Sequence, residues 1–174
     1  MPTDFHGAFA ALRQILKKHG KGTIVHVDTP TNFTLLSPAI GPNGKPLWFG
    51  AVMSKKSAVT YHFMPLYFNP RLDRAIAPEL RPRMQGKACF NFQRPDAALF
   101  AKLEELTRIG REQWDRSGFF APGPISPERL DAALKEAGED PVALARWRKK
   151  IAASAAAKRA ATLKRKRTGA RRRP

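Results

Sequence analysis

The stretch Tyr61–Phe92, YHFMPLYFNPRLDRAIAPELRPRMQGKACFNF, constrains the fold of this chain more than any other. It opens as a strand, breaks at Pro65 and again at Asn69-Pro70, and passes through short helical turns at Pro70–Ile76 and Pro78–Met84. It returns as a second strand at Lys87–Phe92. Proline lacks a backbone N–H and fixes φ, so neither one long helix nor one continuous strand can run through this stretch. Pro78 suits the first position of a helical turn, and Gly86 can end it. In the returning strand, Ala88, Phe90 and Phe92 fall on one face and Lys87, Cys89 and Asn91 on the other.

Helices are expected on both sides of this stretch. Over Asp4–His19, the residues Phe5, Ala8, Phe9, Leu12, Ile15 and Leu16 form one apolar stripe at helical spacing. Thr3 is the expected N-cap, and Gly20 the left-handed stop. Pro95–Trp114 reads as the second long helix, with Leu99, Phe100, Leu103, Leu106 and Trp114 facing inward. Gly110 on that side permits close approach to a sheet. Glu104, Arg108 and Glu112 are spaced for ion pairs on the outer face.

Between the first helix and Tyr61 lie short β-branched and aromatic runs: Thr23–Asp28, Phe33–Ser37, Leu47–Ser54 and Ala58–Met64. Asn43-Gly44 accepts positive φ cheaply and marks a turn, and Lys55-Lys56-Ser57 marks the loop of a hairpin. The expectation is an α+β domain over residues 1–116, an antiparallel sheet packed on one face by two main helices. Residues 117–125 (SGFFAPGPI) read as a Gly/Pro-containing linker. Residues 126–174 read as a basic, Ala-rich helical extension with a disordered end.

The series Pro78-Glu79-Leu80, Met84-Gln85-Gly86-Lys87 and Cys89-Phe90-Asn91-Phe92, followed by a Leu-rich helix, resembles the YdhG-like domain family, a domain of unknown function. The similarity covers roughly residues 5–116. It implies a compact fold related to frataxin, and iron handling of the frataxin type as one activity. Iron of that kind sits on an acidic first helix and sheet edge, because a hard cation takes carboxylate oxygens. Here the first helix offers Arg13, Lys17 and Lys18, so no iron ligand transfers by position, and iron is implied by the resemblance alone.

Charge is unevenly placed. Of a net +18, residues 146–174 carry +13, with 13 Lys and Arg and no acid. These are Arg146, Arg148, Lys149, Lys150, Lys158, Arg159, Lys164, Arg165, Lys166, Arg167, Arg171, Arg172 and Arg173. Spread over a helix and a flexible end, they suit phosphates read without regard to sequence, so nucleic acid or another polyanion is the expected partner. The alternative is a solubilising extension. Cys89 is the single cysteine, which excludes an internal disulfide and a Cys-based zinc site. The chain shows no signal-peptide pattern and no apolar run long enough to span a membrane, so a cytoplasmic protein without a membrane partner is expected.

Two smaller constellations carry chemistry. His26 and Asp28 alternate onto one face of a strand, and their expected role is a surface contact. Thr60, His62, Lys87, Cys89 and Asn91 would share the open face of the sheet if their strands were neighbours. They would then form a pocket for an unidentified small ligand, or a thiolate beside a cation in an enzyme. The alternative is a lone cysteine buried as a small hydrophobe. The Phe and Trp residues fall at core spacing, not as a stacking surface for bases. A noncatalytic binding protein is the primary expectation.

Overall fold

The computed structural model describes residues 3–41 and 44–126, together with Glu128 and Ala132. Those last two positions are helical, and the rest of the expected basic extension lies outside the described residues. The chain opens with helix α1 (Phe5–Lys18), whose buried residues are Ala8, Phe9, Leu12, Ile15 and Leu16. Each large side chain fully buried in this way stabilises by roughly 1.5–3 kcal/mol. The N-cap is Asp4, not Thr3: its carboxylate accepts from the Gly7 N–H at 2.8 Å. Gly20 is not a left-handed cap either. The positive φ falls at Gly22 (81°). A Cβ at Gly20 would lie 2.5 Å from Leu35 Cδ1, so that glycine serves close packing.

Four strands follow as a meander: β1 (Ile24–Thr29), β2 (Asn32–Ile40), β3 (Pro46–Ser54) and β4 (Val59–Phe63). The Tyr61–Phe92 stretch then leaves the sheet through helix α2 (Pro65–Phe68), helix α3 (Pro70–Arg74) and a 3₁₀ turn at Pro78–Arg83. It returns as β5 (Met84–Gln85) and β6 (Cys89–Phe92). Helix α4 (Ala97–Arg116) is capped by Asp96, whose carboxylate accepts from the Leu99 N–H at 3.0 Å. The sheet order is β1-β2-β3-β4-β6-β5, with every pair antiparallel along it. This is the expected α+β class.

The register sorts side chains into two faces. Phe33, Val52, Tyr61 and Phe90 stand opposite one another across four strands, all buried beneath the helices. The helices reach this face at two glycines. A Cβ on Gly50 would lie 2.7 Å from Leu16 of α1, and one on Gly110 of α4 would lie 2.6 Å from the Phe63 ring. The Tyr61 hydroxyl ties β4 to α4. Thr107 Oγ1 donates to the Leu103 carbonyl at 2.7 Å, which leaves it to accept from Tyr61 at 2.9 Å. Glu104 faces α1, where Lys18 reaches it at 2.5 Å, while Arg108 pairs with Glu105 and Glu112. The expected Glu104–Arg108–Glu112 ladder is therefore split between two tasks.

Residues 117–125 are not a linker. Phe119 and Ile125 are buried, and Phe119 and Phe120 stack around Trp114 at 5.1 and 5.7 Å. Gly123–Pro124 forms β7, which runs parallel to Ala39–Ile40 at the end of β2. Glycine and proline mark where the chain turns, but three large apolar side chains in nine residues require burial, and they close the core. Strand β2 continues through Pro38 because its pairing with β3 is irregular between Leu36 and Ile40, so no ladder N–H is demanded there.

Candidate functional site

The second face of the sheet carries the residues singled out for chemistry. Thr34, Ala51, His62 and Cys89 form one cross-strand row, which Gln85 extends onto β5. Asn32, Met53, Thr60 and Asn91 form the next row. Four of the five expected pocket residues, Thr60, His62, Cys89 and Asn91, are thus brought together on β4 and β6. Thr60 Oγ1 donates to Asn91 Oδ1 at 2.8 Å, and Asn91 Nδ2 donates to Gln85 Oε1 at 3.0 Å. Cys89 Sγ lies 2.9 Å from His62 Nδ1, and the imidazole tautomer decides which of the two donates.

Lys87 is not part of this group. The strand begins at Cys89, and Gly86, Lys87 and Ala88 form the loop between β5 and β6, with Gly86 at φ 69°. A three-residue hairpin loop needs one left-handed residue, and Gly86 provides it. It does not end a helical turn. Lys87 instead extends over the ring of Tyr67, 5.9 Å from its centroid. This face is not open as expected, since Thr34, Ala51 and Thr60 on it are buried, and the cation felt by His62 and Cys89 is Lys55, from the β3–β4 hairpin.

The electrostatics of the pair favour two neutral groups. Burial pushes the Cys89 thiol up, and the positive field of Lys55 offsets that only in part. Burial, and secondarily Lys55, pushes His62 down. A neutral thiol beside a neutral imidazole is a weak nucleophile, unlike the thiolate–imidazolium pair that a cysteine enzyme requires. His62 Nε2 is shielded from solvent and has no hydrogen-bond partner among the described residues.

The His26–Asp28 contact does not form. A register irregularity between Val25 and Val27 falls at His26, and both carboxylate oxygens of Asp28 accept from Arg13 of α1 at 2.8 and 2.9 Å. This pair lines a groove of about 300 Å³ between α1 and the first two strands, with Lys17, Val25 and Phe33 around it. No group of three or more His, Cys, Asp or Glu side chains among the described residues could hold a metal ion. Among the described residues, no helix is long and apolar enough to cross a membrane.

The thirteen basic residues from Arg146 to Arg173 lie outside the described residues. Three members of the surface escaped sequence reasoning. Gln85 was hidden because Gly86 read as a helix stop, and Lys55 because a hairpin loop gives no direction to its side chain. Tyr67 was hidden because an aromatic inside an apolar run reads as core, yet it is 48% exposed. The chain is defined at the level of an α+β protein with a basic C-terminal segment. Comparison with protein-family models, curated proteins and solved structures found no match.

Proposed function

We propose that this chain is a YdhG-like domain acting as a noncatalytic binding protein, and that it associates with nucleic acid through residues 146–174 without reading sequence. One observation carries this reading: 13 of the 18 net positive charges sit in those 29 residues, with no acid among them. Such a density of Lys and Arg releases condensed counterions from a phosphate backbone, and that release supplies most of nonspecific affinity. The family part of the proposal is supported by the order helix, meander, helix, with both long helices against one sheet face.

The neutral Cys89–His62 pair argues against the enzyme reading. Iron handling gains no support from the first helix, where Arg13 and Lys18 are already engaged by Asp28 and Glu104. The test is binding of a short labelled duplex by the full chain and by a full-length variant. In that variant Lys164, Arg165, Lys166, Arg167, Arg171, Arg172 and Arg173 are all changed to Gln. The proposal expects the variant to lose most of the affinity at low salt. Equal binding by the two chains would overturn it.

A further inference from the structure

The segment that carries α2, α3, the 3₁₀ turn and the β5–β6 loop is apolar inside and basic outside. Leu66, Leu72, Ile76 and Leu80 are buried and anchor it to the core. The Asn69 side chain fixes the α2–α3 junction, donating to Gln113 of α4 and accepting from the Arg71 N–H. Outward it presents Arg71, Arg74, Arg81, Arg83 and Lys87, all exposed. Its two acids are occupied: Asp73 accepts from Arg81 at 3.0 and 3.1 Å, and Glu79 from Lys102 at 2.9 Å. Arg71, Arg74, Arg83 and Lys87 have no carboxylate within ion-pair distance among the described residues.

Tyr67 stands in this basic surroundings. It remains 48% exposed even with the Lys87 ammonium over its ring. Lys87 also lies close enough to Asp73 to favour its ionised form, though less than Arg81 does. The aromatic ring, the loop lysine and helix α3 are therefore neighbours on one surface. A solvent-facing phenol ring with an ammonium over it, on a segment that exposes several guanidinium groups, matches one kind of partner chemistry. A base can stack on the ring, while the adjacent phosphates meet the cations. Duplex bases are already stacked on each other and cannot use such a ring. Among the described residues, the other large exposed apolar side chains are Ile24 and Val25 of β1 and Trp48 of β3, none of them on this segment, so the segment offers one exposed ring among cations and not an apolar patch for a bilayer.

We infer that Tyr67, with Arg71, Arg74 and Lys87, forms a docking surface for single-stranded nucleic acid on the folded domain, separate from the basic C-terminal segment. The inference rests on the reading that nucleic acid is the partner, and it adds the strand state and a stacking residue. The folded domain supplies the preference for single strands, and the basic segment supplies affinity common to both forms.

The experiment uses the full chain and fluorescence anisotropy, with a labelled oligothymidylate and a duplex of equal length. Tyr67→Ala should weaken single-strand binding by about 5- to 150-fold, the range for loss of one stacked base. Tyr67→Phe should stay within about twofold of the native chain, because the stacking face is kept. Duplex binding should be unchanged by either substitution. The combined change Arg71→Gln, Arg74→Gln and Lys87→Gln should reduce the single-strand salt slope by about 2. The inference is overturned if Tyr67→Ala binds the single strand as the native chain does, or loses equally on both substrates. The variant with a neutralised C-terminal segment separates the two proposals. If it keeps full duplex affinity, the C-terminal reading fails, while a Tyr67-dependent single-strand preference still stands.

Discussion

The hydrogen bond between Tyr61 and Thr107 joins the sheet to α4 inside the core, and its removal from either end should not be equivalent. Both residues are buried, and Thr107 has a second partner in the Leu103 carbonyl. Tyr61→Phe removes the donor. Thr107 still donates to Leu103, so no buried donor is orphaned, and the expected cost is that of one net hydrogen bond, about 0.5–1.5 kcal/mol. Thr107→Val keeps the shape but strands the Tyr61 hydroxyl in a site where burial already holds its proton firmly in place. The expected cost is the desolvation of an unpaired buried group, about 1–3 kcal/mol. The double variant has neither group. It should be more stable than the sum of the single losses predicts, with a coupling of about 1 kcal/mol. Urea unfolding followed by circular dichroism measures all four chains, with the m-value required to stay constant. Strict additivity, or a larger loss for Tyr61→Phe than for Thr107→Val, would refute the assignment of donor and acceptor.

Gly110→Ala should destabilise by roughly 1 kcal/mol in the same assay. The new methyl meets the Phe63 ring at 2.6 Å and Leu72 at 2.9 Å, and overpacking of about 1–3 kcal/mol outweighs a helix-propensity gain of about 1 kcal/mol. A net stabilisation would show that α4 can withdraw from the sheet. Cys89 should react with iodoacetamide at neutral pH more slowly than a free cysteine, because its raised pKa lowers the thiolate fraction. A rate at or above the free thiol, read by intact mass, would restore the nucleophile reading. The folded state holds His62, and likewise His19, below the ordinary histidine value through burial. The unfolded chain therefore binds more protons once the pH falls through about 6.5, and stability should decline from pH 7 to 5.5. His62→Gln should flatten that decline, and an unchanged slope would mean that His62 takes up its proton as readily in the fold as in the unfolded chain.

Much of the architecture was legible because its signals are local. The stripe of α1, the inward face of α4 and the alternation of Cys89–Phe92 follow from periodicity, and Gly110 was readable as a point of close approach. Even the pairing of His62 with Cys89 was reachable, since each sits on the polar side of a strand whose other side is aromatic. What failed depended on partners distant in sequence. Phe119 and Ile125 pack into a core built elsewhere, so a Gly/Pro composition concealed them. Asp28 was offered to His26, two residues away, but it is taken by Arg13 across the helix–sheet interface. Lys87 was placed on a strand because the hairpin loop at Gly86 resembles a helix stop when its far strand, only two residues long, gives no periodicity of its own.

The most direct test of the account is the salt dependence of duplex binding by the full chain. A basic segment engaging six to ten phosphates should give a slope of log Kobs against log salt of about −5 to −9, a loss of about 10³–10⁵ in affinity between about 50 and 200 mM salt. Neutralising seven of the thirteen basic residues should flatten that slope by several units. A slope near zero, or one that the neutralised variant shares, would contradict the claim that residues 146–174 hold the nucleic-acid affinity.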